Sequence, residues 1–461
     1  MEAVYPGQCA VSVEHDKGVM EAGLFRFLRF SLGLEGEVKD LLDGRQGCFD
    51  WEACYQFAKR QTLVGVLFDG IQRLPKGLAP ARLLLLRWLS DSESIRRRNM
   101  RMDRASAYIY NKVCAEGFRC CILKGQGNAL LYPHPSSRIP GDVDVWVMAN
   151  REELRRIALS LTEGDGSSLQ ESLNHIGLTV HGVSVELHST PALLNSPLHN
   201  SRLQKWLKRN ADLQCSNRIA LPNNAGEVAV PTLSFNIIYQ LCHLFHHCFY
   251  EGVGLRQMVD YFFVLMNTDF SGNANGASGN TDGVSGNTDE GCLFLNTDFT
   301  DFTDRVSGNT DLDGVLSNTD CADFLDSSSG GLGEVDSGGS LVALQEELKW
   351  LGLWEFAGAV MYVLREVMGL DEKRMICAPD ERRGRLLLEE IMAGGNFGHY
   401  DERNHFGQGA LWHNIQRFRR DWRMLRFYPS EALSEPLFRV CHFLWRWKQK
   451  HTGKPKEHNC N

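Results

Sequence analysis

The stretch that decides the fold is Arg119-Cys120-Cys121-Ile122-Leu123-Lys124-Gly125-Gln126-Gly127, followed by Gly141-Asp142-Val143-Asp144-Val145-Trp146-Val147. The first string is a short apolar run that ends in a glycine-flanked turn. It predicts a buried strand turning into a short helix, Asn128 to Tyr132. Pro133, Pro135 and Pro140 then enforce a loop. The second string alternates strictly and predicts a strand with its two aspartates on one face.

Working outward, Asn150 with Glu153 three residues on predicts a capped helix start running to about Thr162. Ile176 to Val180 and Val183 to His188 flank His181-Gly182, the pattern of a β-hairpin. Beyond these strands the apolar spacing is helical. Helices are expected over Glu21 to Leu34, Trp51 to Gln72 and Pro80 to Gly117 before the strands. After them come Pro197 to Lys208, Thr232 to Met266, Leu341 to Gly369, Arg382 to Ala393, Gln408 to Arg426 and Glu435 to Lys450. The expected fold class is α+β: a small mixed-sheet core embedded in a mainly helical protein.

Charge divides the chain in two. Of 461 residues, 49 are Lys or Arg and 57 Asp or Glu, a formal net charge of −8. Residues 267–340 hold 14 acidic residues and one basic residue, and the rest of the chain is left at +5. That stretch carries SGNTD at Ser278, Ser285 and Ser307, with further NTD triplets at Asn267, Asn296 and Asn318. The spacing is irregular, so no solenoid period exists, and low apolar content predicts a disordered acidic insert. The expected organisation is a helical region (1–117), an α/β core (118–190), a helical region lining a cleft (191–266), the insert (267–340) and a C-terminal helical region (341–461).

Several classes fall away. No apolar run reaches the ~18 residues of a membrane span. The first residues lack the basic start and apolar core of a signal peptide. Fourteen cysteines without a CxxC read as reduced thiols, and a cytoplasmic location is expected. The +5 outside the insert is too weak a field for a bulk polyanion partner. The run Ser94-Ile95-Arg96-Arg97-Arg98-Asn99-Met100-Arg101-Met102-Asp103-Arg104 reads as a solvated helix face.

Asp142 and Asp144 sit two apart on a predicted strand, so their carboxylates share a face and repel unless a cation lies between them. Mg²⁺, which takes hard oxygen ligands and phosphate oxygens, fits that need. The plainer reading is that one aspartate caps a turn and the other faces water. Glu186, mid-strand in Val183-Ser184-Val185-Glu186-Leu187-His188, adds a third carboxylate where acidic residues are disfavoured. Lys124, Gly125 and Gln126 form a turn whose backbone N–H groups suit an anion.

Ile122-Leu123-Lys124-Gly125, Leu131-Tyr132-Pro133, Arg138, Gly141-Asp142-Val143-Asp144, Val185-Glu186-Leu187-His188 and Gly394-Gly395-Asn396-Phe397-Gly398 together resemble a bacterial family of uncharacterised nucleotidyltransferases within the polymerase-beta-like superfamily. The resemblance implies Mg²⁺-dependent transfer of a nucleoside monophosphate from an NTP to an acceptor hydroxyl. It implies that Asp142, Asp144 and Glu186 hold two Mg²⁺ ions and that Glu186 also accepts the hydroxyl proton. Lys124, Gly125, Gln126, Arg138, Gly141 and His188 would serve the nucleotide and its phosphates. Two departures from the superfamily pattern are the Gln126 after Gly125 and the length of the Gly125–Asp142 interval. A non-catalytic nucleotide binder or antitoxin-like protein on the same fold is the alternative, and the intact triad argues against it. A template-directed polymerase or a tRNA-modifying enzyme lacks the expected basic field. A small molecule or protein is therefore favoured over nucleic acid as acceptor, with no membrane partner.

Other residues carry two readings each. His188 either orders Glu186 and touches substrate, or is a strand-end histidine. Arg138 either clamps a phosphate or bridges Asp142. His243 and His247 lie four apart on one helix face, but with no third ligand evident a packed helix is the better reading than zinc. The resemblance also places that helix along the nucleotide cleft. Arg256 and Asp260 form an ordinary helix pair or close the cleft. Trp445-Arg446-Trp447-Lys448 is expected to pack into the core.

Overall fold

The computed structural model describes residues 20–38, 49–75, 77–162, 169–270, 341–401, 403 and 410–452. Disorder is expected over 267–340; of these, 271–340 lie outside the described residues, as do the first 19, while Thr268 is buried and donates to the Val264 carbonyl.

Four helices precede the sheet: α1 (20–31), α2 (Trp51–Arg60), α3 (Val64–Gln72) and α4 (Arg82–Ala115). The sheet and its helices follow as β1 (Cys120–Leu123), α5 (Gly125–Ala129), β2 (Val143–Val147), α6 (Arg151–Leu161), β3 (Gln170–Glu171), β4 (His175–Val180) and β5 (Val183–His188). The strand order is β1-β2-β5-β4-β3. β2 runs parallel to β5, and the other pairs are antiparallel. This is the α+β core the sequence predicts. Asn150 caps α6 in a full capping box with Glu153, and the hairpin turns at His181 and Gly182, both at positive φ.

Side-chain alternation sorts the sheet into two faces. Val143, Val145 and Val147 on β2, Val183, Val185 and Leu187 on β5, and Ile176, Leu178 and Val180 on β4 are buried in one hydrophobic core. Ile109 and Val113 of α4 and Leu154 and Ile157 of α6 join the same core. Truncating such a residue, Val145→Ala for instance, forfeits the transfer free energy and leaves a cavity. The opposite face therefore receives Asp144, Glu186, His188 and His175. One slip of register would send every carboxylate into the apolar core, so the valines fix the site as firmly as they fix the fold.

After the sheet come α7 (Pro197–Ser216), the hairpin β6 (Arg218–Leu221) and β7 (Gly226–Ala229), α8 (Leu233–Tyr250) and α9 (Leu255–Met266). Then follow α10 (Leu341–Trp350), α11 (Trp354–Met368), α12 (Glu381–Gly394), α13 (Ala410–Leu425) and α14 (Pro429–Thr452). Trp146 of β2, Phe235 of α8 and Trp206 of α7 stack in series, with centroids 5.9 Å and 4.6 Å apart. This aromatic column seats α8 over the second face of the sheet.

Three expected helices are each two. The 51–72 stretch breaks at Thr62 (φ 54°), the 232–266 stretch at Gly252 (φ 111°) and the 341–369 stretch at Gly352 (φ 72°). A left-handed residue ends each first helix, and the apolar period resumes after it. The β6–β7 hairpin falls between two expected helices, in a region read as helical as a whole. Its turn holds Asn223 and Asn224, both at positive φ. The C-terminal expectation is corrected as well. Trp447 is 56% exposed and Phe443 65% exposed, so this helix turns apolar side chains outward rather than into a core. Arg97, Arg98, Arg101 and Arg104 are exposed along α4, the solvated face expected of them. Among the described residues nine cysteines are free thiols, and no helix is long and apolar enough to cross a membrane.

Candidate active site

Strand β2 begins at Val143, so Asp142 sits just before it and Asp144 within it. The parallel register sets Asp144 beside Glu186 and Trp146 beside His188. Asp142, Asp144 and Glu186 each place one carboxylate oxygen within 4.8 Å of the others. Asp144 is buried and Glu186 half-buried.

Three bases compensate this acid cluster. Lys124 Nζ lies 3.0 Å from Asp144 Oδ2. His188 Nε2 lies 3.0 Å from Asp144 Oδ1 and 3.3 Å from Glu186 Oε2. His175 Nε2 lies 3.6 Å from Glu186 Oε1. Lys124 reaches Asp144 from a turn in which both it and Gly125 have positive φ, 49° and 38°. A lysine there is strained by about 1–3 kcal/mol, a cost often found where geometry serves a site. A Cβ on residue 125 would stand 3.8 Å from the Asp142 carbonyl, so space admits one and the backbone angle is what calls for glycine.

The titration of these groups follows from their contacts. The charge of Asp144, then burial, pushes Asp142 up to about 6. Burial alone would raise Asp144, but Lys124 and the His188 hydrogen bond hold it well below the usual carboxylate range. Burial also works to raise Glu186, and the His188 hydrogen bond outweighs it. Burial would lower His188, but hydrogen bonds to Asp144 and Glu186 raise it to about 9. One carboxylate of the triad is thus destabilised by its neighbour while the other two stay ionised.

The His188 shift has a stability consequence in the metal-free protein. Its folded-state value lies above the ordinary 6.5, so the stabilisation is fully present below pH 6.5 and is lost as pH rises toward 9. Urea unfolding in chelator is expected to show this decline over pH 6.5–9. In His188→Gln the decline is expected to flatten, and an equally steep one there would refute the assignment.

The site opens onto a cleft of about 740 Å³. Lys124, Gly125, Arg138, Gly141, Asp142, Asp144, Glu186 and His188 all line it. Gln126 does not. It is buried, and its amide donates to Asp103 on α4, away from the cleft. Arg138 does not pair with Asp142 but sits buried in the cleft wall. It is 2% exposed and forks onto Asp260 through Nε and Nη2 at 2.7 and 2.8 Å. Tyr132 donates to the same carboxylate at 2.6 Å. Arg256 approaches it at 3.8 Å, so the helix pair also belongs to the cleft wall.

His243 and His247 face the acidic strand from α8. Lys124 Nζ donates to His243 Nε2 at 2.9 Å, and His247 Nε2 lies 2.8 Å from the same atom. Burial, then the charge of Lys124, holds His243 well below the usual imidazole range, so it is neutral and accepts. His247 Nδ1 lies 3.0 Å from Glu251 Oε2, and Phe397 packs on its ring at 5.0 Å. The two histidines thus form a polar bridge from the strand to α8, the cleft-lining role that the resemblance implies.

Sequence reasoning missed His175 and Gln257. His175 pairs across the hairpin with His188, so starting that strand one residue earlier would have found it. Gln257 lies inside a helix read only for its ion pair.

The comparison with curated proteins returns no match to this chain. A solved structure of an antigenic nucleotidyltransferase-like protein from Paracoccidioides brasiliensis aligns at 15% identity over 36% of this chain and 76% of that one, with a TM-score of 0.25. Residues 47–275, just under half of the chain, match the family described as uncharacterised nucleotidyltransferase, a match that spans the whole triad and supports nucleotidyl transfer as the general function.

Proposed function

We propose that the chain transfers a nucleoside monophosphate from an NTP to an acceptor hydroxyl and releases pyrophosphate. The observation that carries this reading is the convergence of Asp142, Asp144 and Glu186 on one sheet face beside a cleft large enough for a nucleotide. Their donor set is all hard oxygen, and their mutual repulsion is what a divalent cation relieves, so they fit Mg²⁺, with two ions the number that the resemblance implies. Bound there, Mg²⁺ supplies Lewis-acid neutralisation of charge developing on the phosphates.

The chain's own residues do the rest. The Lys124–Gly125 turn sets an ammonium on Asp144 and brings its backbone close to Asp142, where phosphate oxygens would arrive. The acceptor oxygen bonds to the α-phosphorus as the bond from that phosphorus to the α,β-bridging oxygen breaks. The electron pair leaves with pyrophosphate, and the hydroxyl proton passes to the Glu186 carboxylate, which stays ionised at neutral pH. His188, bonded to both Asp144 and Glu186, fixes the angle between them. The weak positive field outside the acidic insert favours a small molecule or protein as acceptor over nucleic acid.

The test is incubation of purified protein with labelled NTPs, Mg²⁺ and a broad acceptor panel, beside the Asp142→Ala/Asp144→Ala double variant. Equal labelling by the two across the panel sinks the reading. Tight nucleotide binding indifferent to Mg²⁺ and to the loss of Asp144 would point instead to a non-catalytic binder.

Metal affinity should also follow pH. Asp142 titrates near 6, and a protonated carboxyl is a poor ligand. Mn²⁺ affinity, read by calorimetry, is expected to be level above pH 7 and to fall below about pH 6. An affinity unchanged down to pH 5 would remove Asp142 from the ligand set.

A further inference from the structure

Helix α9 begins at a glycine cap, where Gln257 Oε1 accepts from the Gly254 N–H at 2.7 Å. That bond fixes which end of the amide is oxygen, so Nε2 is its donor end. Gln257 is 7% exposed, and its Nε2 has no hydrogen-bond partner among the described residues. Arg138 repeats the pattern. Two of its nitrogens are spent on Asp260, while Nη1 is buried and has no partner among the described residues. Arg256 brings a second guanidinium, 3.8 Å from the same carboxylate and 11% exposed along its side chain. Gln257, Arg138 and Arg256 line the cleft together with Asp142.

Orphaned buried donors are few in a folded protein, and each costs about 1–3 kcal/mol. Two on one wall, with two guanidiniums in contact with a single carboxylate, leave acceptors and negative charge short at that contact, where Asp142 acts on Arg256 only from farther off. Water satisfies a neutral donor but leaves the surplus charge in place. An anion rich in oxygens answers both needs, and guanidinium suits phosphate because its donors are planar and paired.

We propose that Arg138, Arg256 and Gln257 form the subsite for the two terminal phosphates of the nucleotide and for the departing pyrophosphate. This assignment rests on the transfer reading and adds the residues that receive the leaving group. Asp260 then serves as a brace, orienting Arg138 so that Nη1 faces the ligand, while the triad lies on the side of the α-phosphate.

The probe is inorganic tripolyphosphate, titrated calorimetrically into the full chain, with inorganic sulfate at equal ionic strength as reference. Arg256→Gln removes the surplus charge yet leaves the Arg138–Asp260 pair whole, and Gln257→Met removes one neutral donor. Wild type is expected to prefer tripolyphosphate over sulfate. Arg256→Gln should weaken tripolyphosphate roughly tenfold or more and Gln257→Met about threefold to tenfold. Mn²⁺ binding at the triad, measured on the same preparations, should hold within twofold and shows that both variants are folded. Tripolyphosphate affinity within twofold of wild type in both variants, or no preference over sulfate, overturns the subsite. Either result leaves the transfer reading standing if labelling still depends on Asp144. Loss of labelling dependence with the tripolyphosphate effects intact would instead sink the transfer reading alone.

Discussion

Asp144→Asn is expected to cut the transfer rate by about a thousandfold, which corresponds to about 4 kcal/mol of lost transition-state stabilisation. The substitution keeps the shape of the side chain and removes one charge. Asp144 is the central member of the triad: it faces Glu186 across the parallel register, receives Lys124 at 3.0 Å and sits 3.0 Å from His188. An amide there cannot hold a divalent cation with comparable strength, and it no longer orients both bases. The fold should be less affected. Lys124 keeps His243 as an acceptor, His188 keeps Glu186, and repulsion with Asp142 disappears. A stability loss of about 1–3 kcal/mol is expected from the hydrogen bonds forgone. Single-turnover transfer with saturating NTP, beside far-UV dichroism and urea unfolding, separates the two effects. A variant that folds and keeps its rate within tenfold of wild type removes Asp144 from the chemistry.

What made the triad legible is that a strand's period of two is rigid. Asp142 and Asp144 had to share a face, and Val143, Val145 and Val147 had to bury the other, whatever the rest of the chain did. Glu186 was legible for the same reason, since Val183, Val185 and Leu187 bracket it. Helix continuity was less so. Thr62, Gly252 and Gly352 each end a helix through a backbone angle, while the apolar spacing runs on past them. Gln126 was misplaced because a glycine-flanked turn resembles a phosphate cradle locally. Its partner Asp103 lies 23 residues back on another helix, and no local pattern reports that contact. Arg138 was legible in part: its loop position points to a phosphate, while Asp260, which orients it, is 122 residues away and leaves no local pattern. The exposed Trp447 and Phe443 defeat amphipathic reasoning because periodicity finds an apolar stripe without saying what covers it.

The Arg138–Asp260 contact leads to the largest effect expected on stability. Asp260 is 5% exposed and accepts from Tyr132 and twice from Arg138, with Arg256 at 3.8 Å. Burial would raise its carboxyl, but the charge and hydrogen bonds of Arg138 hold it below the ordinary value, so it is ionised and central. Asp260→Ala leaves two guanidiniums buried side by side without the carboxylate they share, and removing one partner of a buried pair costs about 3–5 kcal/mol. Arg138→Met is not the mirror image. It removes one of the two positive charges, and Arg256 stands ready to close on the freed oxygens. The loss should therefore be smaller, about 1–3 kcal/mol. Urea unfolding of the two variants checks the order. If Asp260→Ala costs no more than Arg138→Met, the second guanidinium does not share that carboxylate, and the surplus of positive charge in the cleft wall is absent. The same order bears on ligand binding, because the excess that makes Asp260→Ala so costly is what an incoming polyphosphate would neutralise. Added tripolyphosphate should then restore more stability to Asp260→Ala than to Arg138→Met, since only the former keeps both cations.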